Sequence, residues 1–163
     1  MIPEMASPAH QAMLRRFSLY GFLKNQRYFE PFFMLILLEK GLSFTAIGFL
    51  IGFREVCINL MEVPSGAMAD RTGRRRTMML SFLSYIASFA LFGIFDSLAA
   101  LYAAMLLFAI GEAFRTGTHK AMIFDYLAAH DLSSLKTRVY GVTRSWSKNG
   151  SALSVVLSTA LLF

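Results

Sequence analysis

An all-α membrane protein of five transmembrane helices is the fold class this sequence predicts, and three observations predict it. The first is composition. Of 163 residues, 56% are hydrophobic and 16% charged, where soluble domains carry about a quarter charged residues. Mean hydropathy is +0.52. The second is segmentation. Apolar runs at 17–38, 44–68, 77–95, 98–127 and 139–163 are separated by short polar turns, and each suits a bilayer core of ~30 Å. The third is charge asymmetry. Short connections make neighbouring helices antiparallel. Arg15, Arg16, Arg71, Arg74, Arg75, Arg76, Lys136 and Arg138 then fall on one side and Lys40 alone on the other, which places the former side and the amino terminus in the cytoplasm.

Residues 1–16 are polar or mixed and read as a cytoplasmic segment with no cleavable signal. The first run carries Lys24, Asn25, Gln26, Arg27 and Glu30, and Pro31 predicts a kink. The turn Glu39-Lys40-Gly41-Leu42-Ser43 leads into the second run, which holds Arg54, Glu55, Asn59 and Glu62, with Pro64 near its end. Asp70 to Arg76 is the next connection. The third run has no charge between Arg76 and Asp96 and is the cleanest span. Asp96-Ser97 is a tight turn into a long fourth run, apolar at first and then carrying Glu112, Arg115, His119, Lys120 and Asp125. A polar loop precedes the fifth run, which contains Arg144, Lys148 and a series of serines. No polar tail follows Leu161-Leu162-Phe163. The expectation is an amino-terminal piece of a longer protein, and the alternative is a short product of a truncated gene.

The net charge of +6 would suggest nucleic acid in a soluble protein. Here the cations sit at span ends, where topology and anionic lipid account for them, so no nucleic-acid partner is expected. Cys57 is the only cysteine, which excludes an internal disulfide or a cysteine metal cluster. There is no HExxH, GxSxG, phosphate-binding glycine loop or cysteine ligand set. An intramembrane enzyme is therefore a poor reading, and no catalytic residue, metal or cofactor is expected. Gly48 and Gly52 form a GxxxG that predicts close helix packing. His119 suits either a proton carrier or a hydrogen-bonded structural residue.

A charge near the bilayer centre costs at least ~2.5 kcal/mol, so it must face the bundle interior or a wet cavity. At helical spacing the polar residues do share faces. Glu55, Asn59 and Glu62 fall within about 60° on the second helix, and Glu112, Arg115, Thr116 and His119 within about 100° on the fourth. Arg144, Ser147, Lys148, Ser151, Ser154 and Ser158 form a stripe about 120° wide on the fifth. Lys24 and Arg27 lie a turn apart on the first, with Glu30 a turn further on. The third helix shows no polar face. Mutual neutralisation in a packed bundle is one account of these charges. The in-span set, however, contains seven basic residues (Lys24, Arg27, Arg54, Arg115, Lys120, Arg144, Lys148) and five acidic ones (Glu30, Glu55, Glu62, Glu112, Asp125). A water-filled cavity lined by four helices, with the third against lipid, accommodates the two surplus cations.

Between the second and third runs lies Gly66-Ala67-Met68-Ala69-Asp70-Arg71-Thr72-Gly73-Arg74-Arg75-Arg76. Taken alone it is a basic juxtamembrane turn. It also resembles the loop signature Gly-x-Leu-Ala-Asp-Arg-x-Gly-Arg-Arg/Lys of the major facilitator superfamily of secondary transporters. Gly66, Ala69, Asp70, Arg71, Gly73, Arg74 and Arg75 match in order, and Met68 replaces the leucine. The resemblance implies that the five spans form most of the amino-terminal six-helix bundle of that fold, with the first, second, fourth and fifth helices around a central cavity. It also implies that Asp125, near the cytoplasmic end of the fourth helix, joins Asp70 and Arg74 in a charge relay that acts as a conformational latch. One feature departs from the pattern. Many members carry an arginine four residues before a glycine on the fourth helix; here Ala113 holds that place before Gly117, and Arg115 sits two residues before it. The segment 111–117 instead resembles another variant found in bacterial members.

The expected function is secondary transport of a small solute by alternating access, coupled to protons or another ion, in the cell (inner) membrane. Lys24, Arg27, Glu55, Glu62, Glu112, Arg115 and Arg144 are the candidates to line the cavity. Their positive excess favours an anionic or zwitterionic solute, and Glu55, Glu62 or Glu112 are the candidates to couple protons. The missing carboxy-terminal half is the expected partner. The alternative is a non-transporting scaffold, receptor or assembly partner that kept the fold.

Overall fold

The computed structural model describes residues 7–160, and these form helices joined by short turns. In order they are α1 (Pro8–Lys24), a 3-10 turn (Glu30–Phe32), α2 (Phe33–Glu39), α3 (Phe44–Thr72), α4 (Arg74–Ile94), α5 (Leu98–Ala129), a second 3-10 turn (Ser133–Leu135) and α6 (Lys136–Ala160). Among the described residues, α3, α4 and α5 are long and apolar enough to cross a membrane. The first six residues of the expected cytoplasmic segment and residues 161–163 of the expected fifth run lie outside the described residues. The chain divides into two compact units: residues up to Leu35 with those from Ile123 onward, and Ile36–Met122.

In the first unit, the run expected to be one helix over 17–38 is two. Pro8 at the start of α1 fixes a helical φ where no N–H is needed. The helix stops at Lys24, with Asn25 (φ −100°, ψ 13°) as its cap. Residues 25–29 are not helical; the 3-10 turn follows at Glu30 and α-helix resumes at Phe33. The physical reason is local. Pro31 has no N–H to continue a helix from upstream, so it sits in the first turn of a new one, the 3-10 turn Glu30–Phe32, and the polar run from Lys24 to Arg27 offers no apolar face to hold a turn in place. The interruption is fastened to α6. The Asn25 side-chain amide donates to the Ser147 carbonyl at 3.0 Å. Ser154 Oγ lies 3.5 Å from the Asn25 carbonyl, and Ser158 Oγ donates to the Tyr28 carbonyl at 3.0 Å.

Small residues let α1 and α6 approach closely. A Cβ on Gly21 would stand 2.8 Å from Ser147 Oγ, and one on Gly150 would overlap the Phe22 carbonyl. Thr143, Gly150, Ser154 and Ser158 are buried along one stripe of α6. The serine series expected to face water is therefore split: Ser154 and Ser158 are packing residues, while Arg144 and Lys148 are exposed.

In the second unit, Ser43 caps α3 by accepting from the Ala46 N–H at 3.3 Å. This helix runs through Pro64 to Thr72, and Ser65 Oγ bonds the carbonyls of Glu62 (2.9 Å) and Ala113 (3.2 Å). The core of α5 is Leu101, Ala104, Met105, Phe108 and Ala109, the three-to-four spacing of one buried helix face. α4, expected to lack a polar face, has one: Ser81, Tyr85 and Ser88. Ser81 Oγ donates to the Gly111 carbonyl and Ser88 Oγ to the Ala104 carbonyl, both at 2.7 Å. Among the described residues nothing lies within 4 Å of a Cβ added at Gly48 or Gly52, where the sequence predicts close packing. The tight glycine of this unit is Gly111, whose Cβ would stand 3.1 Å from the Ser81 carbonyl.

Candidate functional site

The connection expected over residues 70–76 shrinks to one residue. α3 continues to Thr72 and α4 begins at Arg74, leaving Gly73 between them at φ +87°, ψ 140°. Only glycine adopts that φ without a Cβ clash. The reversal is braced by hydroxyls. Thr72 Oγ1 donates to the Met68 carbonyl at 2.7 Å and lies 3.1 Å from Thr77 Oγ1, which in turn bonds the Gly73 carbonyl at 3.2 Å. Thr77 is fully buried. Across this bend Arg74 Nη2 stands 3.5 Å from Asp70 Oδ1, with the carboxylate 71% exposed and the guanidinium side chain 27%. Gly66, Arg71 and Arg75 are exposed on either side. So open an ion pair contributes little stability, ~0–1 kcal/mol. Asp125 lies on the last turns of α5 and is exposed. Thr72 and Thr77 were not singled out from sequence; two threonines flanking a turn glycine are the signal that could have found them.

The charges on the helices fall into three groups. The first is a part-buried cluster in the second unit, in which Arg115 is buried. Arg115 Nη2 donates to Glu112 Oε2 at 2.6 Å, Thr116 Oγ1 donates to Glu112 Oε1 at 3.1 Å, and the Tyr85 hydroxyl also donates to Glu112 Oε2. The Arg115 guanidinium lies over the Tyr85 ring, 5.0 Å from its centroid. Tyr85 is a partner that sequence reasoning missed, because a tyrosine inside an apolar run reads as a lipid-facing ring. The second group consists of open pairs: Arg27 with Glu30 at 2.9 Å, and Arg54 with Glu55 at 2.7 Å. The Arg54 guanidinium also lies over Phe108 at 5.6 Å. The third group is exposed. Glu62 is exposed, and Arg144 reaches the Tyr140 hydroxyl at 3.5 Å. Lys24 is half-buried at the end of α1. Among the described residues, no three His, Cys, Asp or Glu side chains could hold a metal.

Three helices long and apolar enough to cross a membrane, with an arginine-rich bend between the first two of them, are the features of an integral, multi-pass membrane protein. The Major Facilitator Superfamily profile matches residues 21–162, and the chain belongs to that family. It is 33% identical over 90 residues to the uncharacterized MFS-type transporter YxaM of Bacillus subtilis (strain 168), a stretch covering 55% of this chain and 23% of that protein. No solved structure matches the chain.

Proposed function

We propose that this chain forms the first five spans of a secondary transporter that moves a small solute by alternating access, with its amino terminus in the cytoplasm and its place in the cell (inner) membrane. The first crossing would comprise α1 and α2 with the interruption between them, and the last α6. The observation that carries the reading is the Asp70–Arg74 pair straddling Gly73, inside the family's own loop signature. An exposed, weak ion pair at a helix junction suits a latch that closes in one conformer and opens in another, with Asp125 as the second carboxylate and Arg71 and Arg75 beside it.

The solute favoured is anionic or zwitterionic, on the surplus of in-span cations. Lys24, Arg27 and Arg144 are the basic candidates to meet it, with Glu55 and Glu62 as the open carboxylates suited to a coupling proton. Glu112 and Arg115, each engaged by the other and by Tyr85, are the least available of the set. Asp70→Asn in the intact protein should cut uptake of a solute found by vesicle screening about tenfold, the effect of ~1.4 kcal/mol, with membrane insertion unchanged. Undiminished uptake would remove the latch. Failure of every solute in the screen would favour the scaffold alternative.

A further inference from the structure

Three ring side chains that the transport reading does not use meet in the first unit. His10 stands in the first turn of α1, Tyr126 near the end of α5, and His130 just beyond it. His10 Nδ1 is 2.8 Å from the Tyr126 hydroxyl. The His10 and His130 rings stand edge to face with centroids 4.7 Å apart, and the Tyr126 and His130 rings lie at 4.3 Å. Phe17, two turns along α1, meets Tyr126 at 5.8 Å. His130 is held in place from behind. Its Nδ1 donates to the Tyr126 carbonyl at 2.8 Å, which leaves the lone pair of the neutral ring on Nε2. The backbone then turns at Asp131 (φ 56°), with the Leu132 N–H bonding the Leu127 carbonyl at 2.8 Å, a Schellman ending that fixes where the ring stands.

We propose that His10, Tyr126 and His130 form a proton-operated clasp between the start of α1 and the end of α5. Imidazole is the side chain whose charge changes near neutral pH. Neutral, the two rings pack on each other and on Tyr126. With protons on both, two cations share this spacing and repel. A charged His10 also stands in the first turn of its own helix, at the positive end of the helix dipole, and its Nδ1 can then only donate to the Tyr126 oxygen. The charged groups close in sequence to the three rings are Arg15 and Arg16 on α1, Asp125 and Asp131 flanking the turn, and Lys136 and Arg138 at the start of α6, where Lys136 Nζ lies 5.9 Å from the Phe124 ring centroid. The arginines add to the repulsion and the carboxylates temper it. Acid therefore loosens the contact, and alkali restores it.

The test uses spin labels at Ala9→Cys and Ala129→Cys, both exposed positions, in the intact protein carrying Cys57→Ser. Lowering the pH from about 8 to about 5.5, across the histidine range, should shift the inter-label distances to longer values, and His130→Gln should abolish the shift. His130→Gln keeps the His10–Tyr126 bond, so it decides the matter even where His10→Gln does not fold. Equal distances at both pH values, or an undiminished shift in His130→Gln, would overturn the clasp. The readout involves no solute, so a failed uptake screen leaves it untouched.

Discussion

Glu112 holds three donors from two helices, and its removal should expose how much of the second unit rests on them. Glu112→Leu leaves the Arg115 guanidinium buried beside a partner that is gone, a change of about 3–5 kcal/mol, whereas Tyr85→Phe removes one donor and should cost about 1–2 kcal/mol. Thermal unfolding of the detergent-solubilised protein should rank them in that order; equal losses would mean that Tyr85 carries the cluster. The Glu112–Arg115 proximity was legible, because a three-residue spacing puts both on one helix face. The contribution of Tyr85 was not, since the helix that carries it reads as uniformly apolar. At the bend, Gly73→Ala forces a side chain into a positive-φ, extended-ψ geometry that favours glycine, at about 1–3 kcal/mol, and should lower the unfolding midpoint more than Gly48→Ala, which meets open space.

Among elements, α6 shows how composition misleads about exposure. Its serines share a face with Arg144 and Lys148 on a helical wheel, and that shared face suggested water. The backbone of residues 25–29 decides otherwise, because serine hydroxyls one turn apart lie against carbonyls at the break in α1: Ser158 donates to Tyr28, and Ser154 adds to the Arg27 N–H at Asn25. In a Cys57→Ser background, Lys148→Cys should react rapidly with a membrane-impermeant thiol reagent and Ser154→Cys at least about tenfold more slowly, the ratio set by ~1.4 kcal/mol of opening. Equal rates would mean that α6 parts from α1. The interruption itself was half legible: Pro31 announced a disturbance, but its position five residues upstream depends on the polar run from Lys24 to Arg27.

For the whole molecule, the motif from Gly66 to Arg75 was enough to identify the family, because spacing, flanking apolar runs and charge bias agreed before any fold was known. The number of crossings was less legible, since α1 and α6 carry too many polar residues to stand out by hydropathy and depend on each other for burial. If all five cross with the amino terminus inside, a single cysteine at Lys40 should be labelled from outside intact cells and one at Thr137 only after permeabilisation. The reverse pattern would invert the orientation.

The stitched interruption in α1 also orders events during synthesis. Ser154 and Ser158 emerge from the ribosome more than a hundred residues after the carbonyls of Asn25 and Tyr28 that they cover. Until then the Asn25 carbonyl has only the Arg27 N–H, at 3.0 Å, and the Tyr28 carbonyl lacks the serine hydroxyl that covers it. The first segment should therefore wait beside the insertion machinery, or at the membrane surface, and commit to the bilayer only when α6 arrives.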